Sequence, residues 1–401
     1  MKNLWIATEL FYPEETSTSF ILTKIANRLS DKYNVKVVCG EPVYDKNSKS
    51  ESFSLKEKIF VHRIKGFAGN KNSLLSRSLR FIFLSFSIFL YLFKNVKKGE
   101  KVFIVTNPAP LILLMSILKR LKKIELILLV HDVFPENTIP ARIVKSENSF
   151  LYKILKGTFN KAYSKADQLI VLGRDMQKKI EDKIKGYTTK SKIGIIENWG
   201  DTENIRPLAK DEVFEIGSPM KDKVIFQYAG NIGRVQGLLE LLEIIKEVKN
   251  DKLAFYFVGE GAVKQKMIDY VEVNNMKNVY FGDAYSRDEQ VVVLNKADIA
   301  FVSLAEGMFG LGVPSKTYNI LSAGKPVLYV GERNSEIDLL VREKNIGYSF
   351  QQHQKEELLQ FFNSFDADSV LDLNVKKQNA RNTAEQNFSE EIILNKFYQA
   401  I

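Results

Sequence analysis

Short apolar runs alternate with longer amphipathic stretches along most of the chain. Runs at 3–7, 35–39, 102–105, 125–130, 168–172 and 193–197 read as buried strands, with helical segments between most of them. A second series reads the same way at 224–229, 253–258, 278–281, 299–302 and 326–330. Strands alternating with helices predict α/β architecture with parallel, doubly wound sheets. Between the two series, residues 198–222 (NWGDTENIRPLAKDEVFEIGSPMKD) lack periodicity and hold prolines and glycines, which predicts a linker. At 401 residues the chain exceeds one ordinary core. The expected organisation is a Rossmann-like domain over 1–197, a hinge over 198–222 and a second Rossmann-like domain over 223–385. A C-terminal helical segment over 386–401 is free to pack on either domain.

One apolar run breaks this rhythm. Residues 81–93 (FIFLSFSIFLYLF) carry no charge; Arg77 and Arg80 precede them, and Lys94, Lys97 and Lys98 follow. Thirteen helical residues span roughly 20 Å, short of the roughly 20 residues that cross a bilayer. The run is either a buried core helix or a helix lying in a membrane interface, where Phe83, Phe86 and Phe89 would be the apolar anchors. Residues 111–118 (LILLMSIL), followed by Lys119-Arg-Leu-Lys-Lys123, repeat the theme.

Charge sharpens the choice. The net charge is +10, but residues 1–200 hold 35 Lys+Arg against 18 Asp+Glu, whereas residues 201–401 hold 23 against 30. A first half at +17 and a second at −7 predict that the first half meets an anionic surface. Nucleic-acid readers interleave aromatics with basic residues across one face. That pattern is absent, so an anionic membrane is the expected partner and nucleic acid is not. Cys39 is the single cysteine, which excludes a disulfide framework and a four-cysteine metal site. It lies in a strand-like stretch and reads as a small core residue in a reducing cytoplasm. Met1–Ala7 looks like a first strand rather than a signal peptide. The expected location is cytoplasmic, peripheral on the inner face of the cell membrane.

Ligands of open α/β sheets bind beyond the carboxyl ends of the strands. After the strand 224–229 comes YAGNIGRVQG (228–237), then a helical run. Strand, glycine turn and helix can aim backbone N–H groups at an anion. The spacing Gly230, Gly233, Gly237 fits neither the dinucleotide fingerprint nor the Walker loop. Arg234 offers a forked donor for a diphosphate. The loop is either a phosphate cradle or a tight turn with a solvated arginine. Other strand ends carry TELFYPEETSTSF (8–20), where Ser17, Thr18 and Ser19 can cap the next helix. They also carry HDVFPEN (131–137) and GEGAVK (259–264), whose Glu260 and Lys264 remain open between function and surface. Asp366-Ala-Asp368 forms a D-x-D, but it lies past the second sheet and away from every strand end. It reads as surface, and no metal is expected.

The segment 305–328 (AEGMFGLGVPSKTYNILSAGKPVL) decides between classes. Glu306 precedes Gly307-Met308-Phe309-Gly310; Pro314-Ser315-Lys316 and a helix ending in Ala323-Gly-Lys-Pro326 follow. With the glycine loop, this resembles family-4 retaining glycosyltransferases of GT-B fold. Their signature is Glu-Gly-Phe-Gly, a helix with a second glutamate, then Ala-x-Gly-x-Pro-Val. Phe11-Tyr-Pro13 stands where the family has its first glycine-rich loop, and ENWGD (197–201) matches the family's hinge. VHDVFPEN and GNIGRVQG resemble a bacterial subgroup of L-fucosamine (N-acetyl-L-fucosaminyl) transferases that build surface polysaccharide on a lipid carrier. The resemblance implies two Rossmann-like domains facing across a cleft. It also implies a nucleotide-sugar donor, UDP-linked, and a polyprenyl-diphosphate-linked saccharide acceptor.

The same resemblance implies roles for single residues. Gly230, Asn231, Gly233, Arg234 and Gln236 would hold the donor diphosphate. Gln236 and Asn231 stand where the family has lysine and arginine, so Arg234 becomes the main contact and Lys316 the candidate second charge. Glu306, with the backbone of Gly307, Met308, Phe309 and Gly310, would hold donor-sugar hydroxyls, and Ser315 would lie beside them. Asn319 stands at the ribose-binding glutamate. His131 matches a histidine close to the donor sugar and, with Glu306 and Arg234, makes the expected catalytic set. Pro13, Ser17, Thr18, Asp132 and Glu136 are acceptor-side candidates. Retention is often explained in this family by same-face attack, the leaving phosphate taking the proton. A non-hydrolysing UDP-sugar 2-epimerase of the same fold and a degenerate nucleotide-sugar-binding protein are the rivals. A dinucleotide oxidoreductase is disfavoured by the missing fingerprint.

Overall fold

A computed structural model describes residues 1–14, 16–42, 54–65, 74–214 and 218–401, without the side chains of 74–77. The chain divides into two compact units. Unit 1 is Met1–Thr138, Val144–Glu197 and Leu394–Ile401; unit 2 is Ile139–Ile143 and Asn198–Ile393.

Unit 1 carries strands β1 (Asn3–Ala7), β2 (Asn34–Gly40), β3 (Phe60–Ile64), β4 (Lys101–Val105), β5 (Glu125–Val130), β6 (Gln168–Val171) and β7 (Lys192–Ile195). Its helices are α1 (Ser17–Leu29), α2 (Leu74–Asn95), α3 (Pro110–Lys122), α4 (Phe150–Tyr163) and α5 (Arg174–Ile184). The sheet order is β3-β2-β1-β4-β5-β6-β7, all parallel, with Ile6 registered against Val37 and Phe103. Its central strands are apolar on both faces because helices cover both. Strand order reverses between β1 and β4, and the crevice at such a switch point is where ligands bind.

Unit 2 holds α6 (Lys210–Val213), β8 (Val224–Ala229), α7 (Leu238–Ile245), β9 (Leu253–Val258), α8 (Lys264–Val273), β10 (Val279–Gly282), α9 (Gln290–Asn295) and β11 (Ile299–Ser303). There follow α10 (Lys316–Ser322), β12 (Val327–Val330), α11 (Glu336–Lys344), β13 (Gly347–Phe350), α12 (Lys355–Asn363) and α13 (Ala367–Asn387). The last helix, α14 (Glu390–Ala400), ends in unit 1. The parallel order β10-β9-β8-β11-β12-β13 reverses between β8 and β11. Phe226, Phe255 and Phe301 sit on adjacent strands with centroids 5.7–6.4 Å apart, and Phe362 meets Phe226 and Phe255 edge-on at 5.1 Å.

Two strands escape the sequence reading, β3 and β13. Both are sheet edges and only partly buried, so FVHRI and GYSF need no continuous apolar run. The expected linker 198–222 is a correction. Its described part belongs to unit 2: Trp199, Ile205, Val213 and Phe214 are buried, the last two against Ile225 and Ala254. These apolar residues fall without period because an irregular segment covers a surface rather than presenting one face. At the C-terminus, Lys396 pairs with Glu197 at 2.7 Å and Asn395 accepts from Arg28 at 2.6 Å, all within unit 1.

Helix α2 has 22 residues, longer than its uncharged run. By length and composition its segment Ser78–Asn95 could cross a membrane, although its burial is one-sided. Leu84, Ser85, Ile88 and Leu92 are buried, while Leu79, Ile82, Phe83, Phe86 and Leu90 are 41–56% exposed. Phe89 is half-buried, stacked between Phe86 and Phe93. Lys94, Lys97 and Lys98 are exposed; the Arg77 side chain lies outside the described residues. Arg80 is a correction to the basic flank: its guanidinium pairs with Glu9 at 3.0 Å, leaving it committed inside unit 1. Cys39 is fully buried, and desolvation pushes its thiol up to about 12, as a core residue requires.

Candidate donor site and strand-end groups

In unit 2 the loop Gly230–Gly237 leaves β8 and the segment after β11 lies beside it, at the switch point. The loop is held from two sides. On one side, Gly230 N–H donates to Val258 O (2.9 Å) and Ile232 N–H to Glu260 O (2.9 Å). On the other, Ala305 N–H donates to Val235 O (2.8 Å). The approach from β9 demands glycine: a Cβ on Gly259, at φ +130°, would lie 2.1 Å from Gly230 O. Glu260 therefore serves the loop through its backbone, while its side chain pairs with Lys264 at 2.6 Å. Asn231 and Arg234 are exposed, and Arg234 has no side-chain partner among the described residues. Gly233 is enclosed by the side chains of Gln236 and Asn231.

Lys316 opens α10 and lays its stem against Gly230, its Cδ 3.7 Å from where a Cβ would stand. Its Nζ is buried without a hydrogen-bond partner among the described residues, 3.1 Å from the Tyr228 ring centroid. Burial drives its pKa well below the ordinary lysine value. Tyr228 in turn donates from its hydroxyl to Asn231 O at 2.6 Å. A buried amine left unpaired is costly, and such a group beside a glycine loop suits the binding of an anion.

Glu306 is exposed past the end of β11 and precedes a turn with Gly307 at φ +83° and Gly310 at φ +67°. Met308 is buried, and the Phe309 N–H donates to Glu332 Oε2 at 2.6 Å. Glu332, just beyond β12, thus braces the turn that follows Glu306. The sequence reading missed it; its place one strand beyond the signature is the only hint. Ser315 precedes α10 without a side-chain cap bond. Asn319 is a correction. Its Oδ1 accepts from Asp201 N–H (2.9 Å) and its Nδ2 donates to Gln290 (3.2 Å), so its amide latches α10 to neighbouring segments rather than standing free for a ribose.

In unit 1, His131 and Asp132 follow β5, and both N–H groups donate to Thr106 Oγ1 (3.2 and 3.1 Å). His131 Nε2 is buried without a partner among the described residues, and desolvation lowers the imidazole to about 4, so it is neutral near pH 7. Asp132 is exposed to solvent, and the protein packed around its carboxyl still lifts it to about 6 by desolvation. Glu136 is a correction: it is buried and holds Lys183 Nζ at 2.7 and 2.9 Å, which removes it from acceptor chemistry. Burial, partly offset by Glu136, lowers Lys183 to about 8. Pro13 and Thr18 are half-buried and Ser17 is exposed, but the cap of α1 is Thr16, whose Oγ1 accepts from Ser19 N–H at 3.3 Å. The backbone of Tyr12 accepts from Arg63 of β3. Asp366 is likewise a helix cap, accepting from Ser369 N–H at 3.0 Å at the start of α13.

Known proteins resemble this chain in sequence and in fold. The glycosyl transferases group 1 family matches residues 209–384. "Probable glycosyltransferase WbjE" of Pseudomonas aeruginosa is 33% identical over 398 residues, 99% of this chain and 97% of its own. WcaI of Escherichia coli (strain K12), which bears a colanic acid biosynthesis glycosyl transferase name, is 26% identical over 177 residues, 43% of each chain. The crystal structure of Anabaena HepE in complex with UDP matches with a TM-score of 0.72 at 13% identity, covering 100% of this chain and 99% of that one. Its likeness shows the fold, two parallel-sheet α/β domains of GT-B type. With WbjE related over nearly its whole length, this chain belongs to the group 1 glycosyl transferases.

Proposed function

We propose that the chain transfers a sugar from a UDP donor to a lipid-linked saccharide in bacterial surface polysaccharide synthesis, with retention and without a metal. The observation that carries the donor half is Lys316, a buried amine with no hydrogen-bond partner among the described residues, beside a glycine loop that also presents Arg234. Breaking the anomeric bond makes the sugar oxocarbenium-like and the leaving diphosphate more negative, and preorganised donors stabilise both. Arg234 and Lys316 supply two positive charges to the diphosphate, the part a divalent cation plays elsewhere. Glu306, on the turn braced by Glu332, contacts sugar hydroxyls. Neutral His131 accepts or donates a hydrogen bond near the sugar, and Asp132 orients the acceptor hydroxyl. HepE was solved with UDP, which favours that nucleotide. The name of WcaI supports a polysaccharide product. The sugar, N-acetyl-L-fucosamine or a related amino sugar, rests on the sequence resemblance alone.

The acceptor half rests on α2 and the basic first half of the chain. The exposed apolar face of α2, with Lys94, Lys97 and Lys98 at its end, suits a peripheral stance on an anionic bilayer. Such a stance keeps the chain on the surface that holds a polyprenyl diphosphate carrier. Thermal-shift screening against UDP-, GDP- and dTDP-sugars, followed by nucleotide release with and without a lipid-linked acceptor, tests the reading. Stabilisation by UDP-sugars and acceptor-dependent UDP release are expected. Epimerised donor without transfer, or no shift with any nucleotide sugar, overturns it.

A further inference from the structure

Helices α2, α3 and α4 pack side by side in unit 1, and their C-terminal ends lie at the amino edge of the sheet, opposite the strand ends that carry His131. Between α3 and α4 runs an open groove of about 930 Å³. Leu113, Ile117 and Leu121 form its apolar wall. Its cations are Lys119, Arg120, Lys123, Lys161 and Lys165. Lys119 is spent on Asp167 at 2.7 Å, and Asp167 also accepts from Leu126 N–H, so that acid is neutralised. Arg120, Lys123, Lys161 and Lys165 make no ion pair among the described residues, and no acidic residue lines the groove. A second hollow of about 540 Å³ adjoins it through Leu121 and Lys123, and adds Lys94, Lys97, Lys98 and Lys122.

Basic residues complement the negative end of a helix dipole, which accounts for some of these side chains. It does not account for Lys97, Lys98, Lys123 and Lys165, which lie beyond the last turns. Nor does it account for apolar exposure in the same place: Ile117 and Leu121 are 48% and 57% exposed beside the bare face of α2. A soluble anion has no use for that apolar wall. A ligand with an anionic head and a hydrocarbon tail matches both halves.

We propose that the α3–α4 groove seats the headgroup of an anionic phospholipid, its phosphate among Arg120, Lys123, Lys161 and Lys165 and its acyl chain along Ile117 and Leu121. The site deepens the membrane reading above, on which it rests, and makes α3 and α4 part of the contact surface alongside α2. It anchors unit 1 at the end remote from its own strand-end groups, and none of its residues belongs to unit 2.

The test is co-sedimentation of the full chain with vesicles of phosphatidylcholine alone or with added phosphatidylglycerol. The groove variant is Lys123→Glu with Lys161→Glu and Lys165→Glu. A control of equal charge change is Lys178→Glu with Lys185→Glu and Lys190→Glu. The groove variant should lose at least tenfold in affinity for the anionic vesicles, the control less than threefold, and both should keep the wild-type thermal shift with UDP. Inorganic phosphate at constant ionic strength should not compete, because a free anion lacks the tail; full competition marks the groove as a phosphate site and overturns the lipid assignment. Equal losses in both variants reduce the effect to bulk charge and overturn the site while the membrane reading stands. A wild-type chain that ignores anionic vesicles overturns both.

Discussion

The amine of Lys316 lies 3.1 Å from the centroid of the Tyr228 ring and has no hydrogen-bond partner among the described residues. The ring face supplies some stabilisation to a cation there, yet burial still pulls the lysine pKa far down. The free protein therefore holds a group whose charged form is disfavoured until an anion arrives. Lys316→Met should raise the unfolding temperature of the free protein and weaken UDP binding at least tenfold. Binding should also take up protons in the wild type, because the diphosphate raises the lysine pKa. Affinity should fall as pH rises above the depressed pKa, measured where the terminal phosphate of UDP is already fully ionised. Calorimetry in buffers of different ionisation enthalpy reads the uptake; an uptake retained in the Met variant assigns it elsewhere.

Arg234 is exposed on the same loop, so its contribution appears only with ligand. Arg234→Ala should weaken UDP binding by about 1.5–3 kcal/mol, the scale of a hydrogen bond to a charged group, and leave the unfolding temperature of the free protein unchanged. Chelator should leave activity intact if these two cations carry the leaving-group charge; loss of activity restored by a divalent metal refutes that division.

Glu332 accepts from the Phe309 N–H at 2.6 Å and so orders the turn after Glu306. Glu332→Ala should lower kcat/KM for transfer while UDP alone binds as before, because the turn serves the sugar rather than the diphosphate. Glu332→Gln, which keeps an acceptor, should recover part of the loss. Equal loss of UDP affinity in the Ala variant would show general unfolding of the site.

Glu136 and Lys183 form a buried ion pair, and removing one partner strands the other. Glu136→Gln should destabilise the fold by about 3–5 kcal/mol without altering the pH dependence of transfer. Asp132, lifted to about 6, should shape that dependence instead. Its carboxylate is ionised above that value, so kcat/KM should fall as pH drops through about 6, and Asp132→Asn should remove that limb. A limb that survives in Asp132→Asn belongs to another group.

The two faces of α2 make opposite predictions. Phe83→Ser with Phe86→Ser should leave a folded chain that has lost vesicle binding, since both rings are about half exposed. Leu84→Ala with Ile88→Ala should cost about 2–5 kcal/mol per site, the range for buried aliphatics. Circular dichroism and vesicle pelleting separate the two. A Phe83/Phe86 variant that still pellets with anionic vesicles refutes the docking role of α2.

Much of this molecule is local chemistry written in order along the chain. Central strands such as Phe103–Val105 and Ile299–Val302 are buried on both faces, so each must be a continuous apolar run, and such runs are visible without a structure. Glycines at Gly230, Gly307 and Gly310 mark turns because positive φ excludes most side chains. The Glu306-to-Gly310 turn is legible for the same reason: backbone geometry and residue type coincide within a few positions. What tertiary structure alone decided are pairings between distant residues. Nothing near Arg80 announces Glu9, nor does anything near Glu136 announce Lys183 or near Asn319 announce Asp201, because a side chain's partner is set by which strand ends the topology brings together. Edge strands β3 and β13 are silent because one free edge and partial burial relax the apolar requirement. Helix α2 looked uniform in sequence, and only the sheet beneath it divided the same apolar residues into a core face and a bare one.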